Sequence, residues 1–421
     1  MLTTAQLIRE NSQVARLGEV LPGWLDRVPL YQGASYSQRA GSPGANPLAW
    51  LRGAPLITKH DLRREFPRNF LGPGAELDDL LERNLVEVEH TSGTAEERTA
   101  LLLGQGWWAG QEELALRQNN LVAHVLDEFP NARRLTINSP VCGGEICYTT
   151  APSRAERIVG NALHLSLSRF PFLWSEDDLS RMAAESAEWD PVFLDVDPVY
   201  GVIFALYCER RGIRLPSLRF ILCSYEFVSV VHRRVLQRAF GVPVFNLYGT
   251  TETGHLLMEN EAGEMTPTLE TAYLEVVEPD AGGIGNLVAT TLTNEFMPLI
   301  RYRIGDLVEC REQPYRTVYV VHGREQDAFI TADGARVTSW QIDGCFAGIG
   351  GITHYQLVQQ TDTAYELRYA DDGNGPGAAD SAKLRARLMR VLGIQGGLEF
   401  QPRDLLLAEG SGKFRLGYPL R

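Results

Sequence analysis

Apolar positions in the middle of the chain follow two alternating patterns. Near-continuous apolar runs, which are typical of strands buried on both faces, occupy 191–198, 218–225 and 242–249. The stretches between them, at 200–213 and 228–241, carry apolar residues at helical intervals. Buried strands that alternate with helices predict a parallel sheet in an α/β domain.

The segments on either side of this region predict further elements. Residues 85–90 and 133–141 have the composition of strands, and residues 107–129 between them predict one helix. After Tyr248, β-forming segments follow one another closely with turn residues between them, which favours a β-rich subdomain over further βαβ units. These segments are 272–279, 285–292 and 316–323.

The chain beyond Gly323 predicts a smaller mixed unit. β-forming segments occupy 327–338 and 354–369, and residues 380–392 predict a helix. The run 371–380 is rich in glycine and aspartate, which favours an acidic surface loop.

Together these elements predict an α/β protein with two domains. We expect a large N-terminal domain at residues 1–322, with a mostly parallel sheet and the β-rich subdomain, and a small α+β C-terminal domain at residues 323–421. A chain of 421 residues with 44% hydrophobic and 22% charged residues can form cores of this size.

Composition narrows the possible partners. The net charge is −13, and nucleic-acid binding relies on an excess of Lys and Arg, so nucleic acid is not expected as a partner. No apolar run approaches about 18 residues and the start lacks a signal-peptide pattern, so we expect no membrane span and a cytoplasmic location. Cys142 and Cys147 lie close together without companion ligands at zinc spacing, and they are interpreted as thiols.

A hydroxyl-rich turn follows the strand predicted at 85–90. Within HTSGTAEERT it consists of Thr91, Ser92, Gly93 and Thr94. Hydroxyl donors, and the close backbone approach that glycine permits, suit a phosphate group. A solvated turn is the alternative. The turn is not a P-loop, because no Gly-Lys-Ser/Thr follows.

Three later segments, the second of which comprises IRYRIGD together with GREQD, carry residues suited to the same kind of ligand. VFNLYGTTETG, at 244–254, is a strand that breaks into a polar turn with one carboxylate. Asp306 in IRYRIGD can accept both hydroxyls of a ribose, with an exposed turn aspartate as the alternative. Arg324 in GREQD can reach a ribose or phosphate, with a surface ion pair as the alternative. Lys413 lies close to two glycines in EGSGKFRLGYPLR and fits a mobile cationic finger, with a frayed basic tail as the alternative.

These four segments, in this order, resemble the adenylate-forming superfamily of acyl-coenzyme A synthetases, nonribosomal-peptide adenylation domains and firefly luciferase. The segment PLITKHDLRREFP, at 55–67, and the short length resemble the phenylacetate–coenzyme A ligase branch in particular. The resemblance extends from about residue 55 to residue 421.

The resemblance implies an ATP site built from several segments. The turn that begins at Thr91 would hold the β- and γ-phosphates, Tyr248 would pack on the adenine, and Asp306 would accept the ribose hydroxyls, with Arg324 as its partner. The residues that the resemblance assigns to ATP are Thr91, Ser92, Gly93, Thr94, Ser224, Tyr225, Glu226, Tyr248, Gly249, Thr250, Asp306 and Arg324.

The resemblance assigns the chemistry to three further residues. Thr251 would contact the α-phosphate, Glu252 would help to hold Mg²⁺, and Lys413 would bridge the substrate carboxylate and the α-phosphate. Attack of a carboxylate on phosphate brings two anions together, and cations relieve that repulsion. In the superfamily the C-terminal domain is mobile, so the lysine can leave after the first half-reaction.

The sequence departs from the superfamily pattern in two places. After the phosphate turn it reads Ala95-Glu96-Glu97-Arg98, and carboxylates beside a triphosphate are unfavourable unless they point outward or pair with Arg98. Beside the adenine it has the bulky Tyr225, which is expected to stack on the base, narrow the acyl pocket or fill the core. The hinge falls at Gln326 or Asp327.

The acyl pocket is expected from four segments around the sheet edge. His164 is a candidate partner for the substrate carboxylate, with a satisfied core histidine as the alternative. The segments are 138–148, 164–174, 196–202 and 223–227.

The resemblance implies an AMP-forming ligase. It would convert a carboxylic acid, aromatic or medium-sized, and MgATP into an acyl-adenylate and then transfer the acyl group to a thiol, with coenzyme A expected. A carrier protein, an amine or a reductase as acceptor stays open, as do a natural-product pathway and a homodimer. A non-catalytic nucleotide-binding relative is the remaining alternative, although a binding module needs no adenylation lysine.

Overall fold

The structure is a computed structural model, and it describes residues 4–33, 36, 43, 46–91, 98–139, 152–168, 170–314, 316–410 and 412–420. The chain forms two compact units, each from two separate segments. Unit 1 comprises Met1–Asn120 and Leu247–Val320, and unit 2 comprises Leu121–Asn246 and Val321–Arg421. The predicted division into residues 1–322 and 323–421 stays a prediction.

The described helices are distributed over both units. In chain order they are α1 Thr4–Arg27, α2 Pro47–Gly53, α3 Lys59–Arg63, α4 Leu77–Glu82, α5 Trp107–Leu116, α6 Asn120–Glu128, α7 Glu176–Trp189, α8 Pro198–Arg211, α9 Val230–Phe240, α10 Ser339–Gly344 and α11 Ala378–Leu392. Short 3₁₀ helices occupy Pro29–Tyr31, Ala155–Arg157, Pro171–Leu173 and Glu325–Asp327.

The described strands follow the same order. They are β1 Val86–His90, β2 Ala100–Gly104, β3 Arg134–Ile137, β4 Ile158–Val159, β5 Ala162–His164, β6 Phe193–Val196, β7 Phe220–Cys223, β8 Val244–Thr250, β9 Gly254–Glu259, β10 Met265–Pro267, β11 Ala272–Val277, β12 Ile284–Thr291, β13 Tyr302–Gln313, β14 Arg316–Arg324, β15 Phe329–Ile330, β16 Arg336–Val337, β17 Ile352–Gln359, β18 Tyr365–Asp371, β19 Leu398–Pro402 and β20 Gly417–Tyr418.

Unit 1 contains the β-rich region predicted after Tyr248. Its sheet has the order β11-β12-β13-β14-β10-β9, followed by the last residues of β8. The strands β11 to β13 pair antiparallel, and so do β14, β10, β9 and β8. Helix α5 packs on β9, where the ring centroids of Trp108 and His255 are 4.9 Å apart. This confirms the predicted β-rich subdomain.

Unit 2 contains the predicted parallel sheet. Strands β5, β3, β6, β7 and the first residues of β8 pair parallel in that order, and β4 adds an antiparallel edge. The residues of β6 and β7 are all buried, as the continuous apolar runs predict. Helices α7, α8 and α9 contribute side chains to the same core, including Met182, Phe204 and Leu236. The predicted alternation of strands and helices is confirmed.

A second sheet in unit 2 has the order β19-β18-β17-β20 and packs with α10 and α11 around Phe346, Tyr355 and Leu388. Strands β17 and β18 match the segment predicted at 354–369, and α11 matches the predicted helix. The segment predicted at 327–338 forms the separate antiparallel pair β15 and β16. The predicted loop at 371–380 is shorter, because α11 begins at Ala378.

One local prediction was wrong in detail, and another was confirmed with a partner strand that was not predicted. The helix predicted at 107–129 is two helices, α5 and α6, because buried Asn119 turns its amide to the Glu259 carbonyl, 2.8 Å away. The strand predicted at 85–90 is present as β1, but it pairs antiparallel with β2, which was not predicted.

Candidate active site

Tyr248 and Asp306 lie together in unit 1, although they are 58 residues apart in the chain. The Tyr248 hydroxyl donates a hydrogen bond to Asp306 Oδ2 over 2.6 Å, and Asp306 is buried. Gly305 has φ +90°, and the pairing of β12 with β13 shifts register beside it. Such a bulge redirects the next side chain, here the Asp306 carboxylate. The residues that the resemblance assigns to adenine and ribose are therefore joined directly.

The turn after Tyr248 leaves no space for a side chain at Gly249. A Cβ added there would lie 2.2 Å from the Gly254 carbonyl oxygen, because β8 returns directly into β9. The hydroxyls of Thr250 and Thr253 are 2.9 Å apart across the turn. Thr251 lies half-buried at its tip. The polar turn is thus a tight hairpin with a defined backbone.

Glu252 is a buried carboxylate with two donors. Its Oε1 lies 3.1 Å from the Lys59 ammonium and 3.0 Å from the Tyr302 hydroxyl. Burial acts to raise the pKa of Glu252, but the Lys59 charge, a backbone hydrogen bond and the two side-chain donors outweigh it and lower the pKa. Glu252 is therefore ionised at neutral pH.

Glu252 is a single carboxylate, and this bears on how the site could bind Mg²⁺. Among the described residues, no group of three or more His, Cys, Asp or Glu side chains is placed to hold a metal ion. Mg²⁺ commonly binds through one or two carboxylates together with substrate phosphates and waters. An ionised Glu252 fits a metal that arrives with ATP, and not a resident metal held by protein ligands alone.

Thr91 closes the base of the predicted phosphate turn. Its amide donates to the Thr99 carbonyl over 3.0 Å, and its hydroxyl accepts from the Thr99 amide over 3.0 Å. Thr91 is buried, and these two bonds hold it against Thr99. Ser92, Gly93, Thr94 and the departure Ala95-Glu96-Glu97 lie outside the described residues, as do Cys142 and Cys147.

Ser224 and Tyr225 lie together in unit 2, at the carboxyl end of β7. Both hydroxyls donate to the buried Asp195 carboxylate, Ser224 over 2.7 Å and Tyr225 over 3.0 Å. Tyr225 is 37% exposed, so the alternative that it fills the core was wrong. Its ring lies at the edge of a parallel sheet where ligands of α/β proteins bind.

Glu226 and Lys413 lie together with Asp197 in the same unit. Glu226 Oε1 accepts the Phe414 amide over 2.6 Å, and Asp197 caps α8 by accepting the Val199 and Tyr200 amides. Burial raises the pKa of Asp197 to about 7, against those amides and the Lys413 charge. Burial and the Asp197 charge also raise the pKa of Glu226, while Lys413 acts to lower it. The predicted adenylation lysine thus lies beside two carboxyl groups.

The predicted residues Arg324, Asp327 and His164 also lie in unit 2. Arg324 precedes the 3₁₀ helix Glu325–Asp327, and its charge acts to lower the pKa of Asp327, which burial raises. Asp327, a hinge candidate, pairs with Arg415 over 2.5 Å. His164 is half-buried, and burial lowers its pKa, so it is neutral at pH 7.

Sequence reasoning missed Lys59, Tyr302, Asp195 and Asp197 as site residues. A signal existed for Asp197, because an aspartate at a strand end before proline is typical of a helix N-cap at the carboxyl edge of a sheet. Lys59 lies in the segment that carried the resemblance to the ligase branch. Asp195 had no such signal, since it lies within an apolar run.

The sequence is similar to those of two ligases along most of its length. The phenylacetate–coenzyme A ligase of Pseudomonas putida is 24% identical to the chain over 405 residues, which are 90% of the chain and 82% of the relative. The enzyme of the same name from Escherichia coli is 26% identical over 373 residues, 82% of the chain and 78% of the relative. The predicted resemblance to the phenylacetate–coenzyme A ligase branch of the adenylate-forming superfamily is thus confirmed.

The fold of the superfamily is also found among solved structures. 2-Hydroxyisobutyryl-CoA ligase, in its postadenylation state with R3-HIB-AMP, matches with a TM-score of 0.73 and 18% identity, covering 100% of this chain and 91% of that one. This confirms the predicted α/β fold class.

No protein-family model matches the sequence. Among the helices in the described part of the chain, none is long and apolar enough to cross a membrane.

Proposed function

We propose that this protein is an AMP-forming ligase that activates a carboxylic acid with MgATP and transfers the acyl group to coenzyme A. The observation that carries the proposal is the hydrogen bond between Tyr248 and Asp306, since it joins the two segments expected to bind adenine and ribose. The ionised Glu252 and the placement of Lys413 beside carboxyl groups support it.

In the first half-reaction a substrate carboxylate oxygen attacks the α-phosphorus of ATP. The bond from the α-phosphorus to the bridging oxygen breaks, and pyrophosphate leaves. Lys413 neutralises charge on the carboxylate and the α-phosphate, and Thr251 orients the α-phosphate. Glu252 is the residue that would hold Mg²⁺, which supplies positive charge on the phosphates when bound.

In the second half-reaction the thiol sulfur of coenzyme A attacks the acyl carbonyl carbon. The carbon–oxygen bond to AMP breaks, the thiol proton is lost to solvent, and a thioester forms. The Tyr248 ring and the Asp306 carboxylate continue to hold the adenosine part through both steps, which keeps the leaving group oriented.

The relatives suggest the substrate class. Two of them are named phenylacetate–coenzyme A ligases, and 2-hydroxyisobutyryl-CoA ligase has been solved with 2-HIB-AMP and CoA. We therefore propose an aromatic or medium-sized acid as substrate. A carrier protein, an amine or a reductase as acceptor, a homodimer, a role in natural-product biosynthesis and a cytoplasmic location stay predictions.

The proposal is tested by carboxylate-dependent exchange of labelled pyrophosphate into ATP across a panel of aromatic and aliphatic acids. We expect at least one acid to support exchange, and coenzyme A to convert its adenylate into a thioester. If no acid supports exchange while a reference ligase is active in the same assay, the proposed function is wrong.

The variant Lys413→Ala tests the assigned lysine. Because one preorganised charge at a reacting centre typically contributes about 10²–10³-fold, we expect exchange to fall by that factor. Lys383→Ala is the matched control, since Lys383 is an exposed lysine on α11, and it should exchange at the wild-type rate. Undiminished exchange in Lys413→Ala would remove this lysine from the reaction.

A further inference from the structure

The turn that follows β7 has an unfavourable backbone. The Glu226 amide donates to the Ser224 carbonyl over 2.9 Å, and Tyr225 between them has φ +74°. A γ-turn with positive φ at a bulky side chain is rare and strained. Other contacts must therefore hold the turn in this shape.

Asp195 provides those contacts. It accepts the Ser224 and Tyr225 hydroxyls on its two carboxylate oxygens, and Arg134 lies 3.7 Å from Oδ2. Asp195 is only 4% exposed, so its hydrogen bonds are shielded from water. The first two residues of the turn are fixed on Asp195, and the third, Glu226, projects elsewhere.

Glu226 reaches the segment that carries the predicted adenylation lysine. Its Oε1 accepts the amide of Phe414, the residue directly after Lys413. Gly412, the residue directly before, receives a hydrogen bond on its carbonyl from the Tyr200 hydroxyl over 3.4 Å. The Glu226 bond is the shorter of the two, at 2.6 Å.

The ring of Phe414 fixes the same segment from the other side. It lies 5.3 Å from the His354 ring and 5.9 Å from the Phe172 ring, both between centroids, within an apolar cluster. Apolar packing of this kind is not directional. A hydrogen bond to the backbone is directional, so Glu226 determines how the segment is oriented on its apolar anchor.

We propose that Glu226 is a positioning residue for adenylate formation: by accepting the Phe414 amide, it sets the place of the Lys413 ammonium. The effect of Glu226 on catalysis rests on the proposed function, whereas its effect on the placement of Lys413 can be tested without that function. Asp195 acts one step earlier, by holding the strained turn that directs Glu226. The resemblance assigned Glu226 to ATP, whereas the structure has its carboxylate accept the Phe414 amide, so in this proposal it acts through Lys413.

The catalytic test compares Glu226→Ala with Glu226→Gln. Alanine removes the acceptor, so we expect kcat for pyrophosphate exchange to fall about 10- to 100-fold, with KM for ATP changed less than threefold, since a misplaced group can cost that much. Glutamine keeps an acceptor oxygen for the amide and should retain at least a third of the wild-type kcat. Thioester formation from a supplied acyl-adenylate should stay within twofold in both variants.

The placement of Lys413 has a readout that requires no activity. The sequence contains only three lysines, Lys59, Lys383 and Lys413, so acetylation by an amine-reactive reagent can be followed at each by mass spectrometry. We expect Glu226→Ala to raise the acetylation rate of Lys413 at least threefold relative to exposed Lys383, and Glu226→Gln to change it less. Lys59, which pairs with Glu252 in unit 1, reports on the integrity of the fold and should be unchanged.

Glu399→Gln is the matched control, because Glu399 is an exposed glutamate on β19. Its kcat for exchange and its rate of Lys413 acetylation should equal those of the wild type.

If Glu226→Ala does not fold, Glu226→Met takes its place, because methionine fills a similar volume without a hydrogen-bond acceptor. Wild-type values of kcat and Lys413 acetylation in the acceptor-free variant would overturn the proposal. A wild-type enzyme that exchanges with no acid would contradict the proposed function alone, and the acetylation ratio would still decide the positioning role.

Discussion

At the scale of single residues, lysine is used sparingly in this chain. Only three of its 40 basic residues are lysines, and two of the three lie beside candidate site carboxylates: Lys59 beside Glu252, and Lys413 near Asp197 and Glu226. Arginine offers a planar fork that suits paired oxygens, whereas lysine offers a compact charge on a flexible stem. A compact charge suits a group that must lie between a carboxylate and a phosphate.

The buried carboxylate of Glu252 leads to a prediction about stability and pH. Its pKa is lowered below the ordinary value of 4.5, so its ionised form stabilises the fold above pH 4.5, and this contribution is lost as the pH falls through the folded-state pKa. We expect Glu252→Gln to lower the free energy of unfolding by about 2 kcal/mol at pH 7, the typical contribution of a hydrogen bond to a charged group. Urea denaturation at pH 7 and at pH 4 measures the difference.

The difference between wild type and Glu252→Gln should therefore shrink on acidification. Glu270→Gln, at an exposed glutamate of the same unit, should change the free energy of unfolding by less than about 0.5 kcal/mol at both values. A difference that stays constant between pH 7 and pH 4 would show that Glu252 is not stabilised in its ionised form.

At the scale of secondary-structure elements, the sequence predicts what depends on local periodicity. Strands β6, β7 and β8 and helices α8 and α9 were predicted, because buried parallel strands are continuously apolar and helices repeat every 3.6 residues. The break between α5 and α6 was not, because it depends on Asn119 bonding a carbonyl 140 residues away. The role of Asp195 was missed for the same reason, since its partners lie on another strand end.

The close packing of α8 on β6 gives a prediction for Gly201. A Cβ at this position would lie 2.8 Å from Val196 Cγ2 and 3.3 Å from Leu236 Cδ2, and both side chains are fully buried. Replacing glycine by alanine within a helix ordinarily stabilises by about 1 kcal/mol, but overpacking a core costs about 1–3 kcal/mol. Because the β-branched Val196 cannot move aside easily, we expect Gly201→Ala to lower the free energy of unfolding by about 1–2 kcal/mol.

Gly110 offers the matched control. It is the fourth residue of α5, as Gly201 is the fourth residue of α8, and a Cβ there meets no atom within 4 Å. Gly110→Ala should stabilise the protein by up to about 1 kcal/mol in the same denaturation experiment. If both substitutions stabilise, the close approach at Gly201 does not constrain the fold.

At the scale of the whole molecule, each compact unit is assembled from two distant segments of the chain. The contiguous domains predicted from the sequence stay a prediction. Composition and periodicity report on neighbours in the chain, so they could not predict the pairing over long separations within each unit. The candidate site residues also come from distant segments of the chain. Tyr248 contacts Asp306 across 58 residues, and Glu226 contacts Phe414 across 188 residues. The resemblance to a known family supplied the candidate residues, and the structure supplied the partners that hold them.

Ligand binding links the candidate site to the stability of the whole chain. A ligand that binds only the native state raises the free energy of unfolding by about 2.7 kcal/mol at 100 times its dissociation constant. We expect MgATP alone to raise the unfolding midpoint, because a hydrogen bond joins Tyr248 and Asp306, the residues expected to bind adenine and ribose. Lys413→Ala should show the same increase, since this lysine is assigned to the chemical step and not to holding the nucleotide. Tyr248→Ala should lose most of this increase, because the adenine contact and the bond to Asp306 disappear together.

Thermal unfolding of the wild type and the two variants, with and without MgATP, measures these shifts. A nucleotide-induced shift that is lost in Lys413→Ala but retained in Tyr248→Ala would reverse the two assignments.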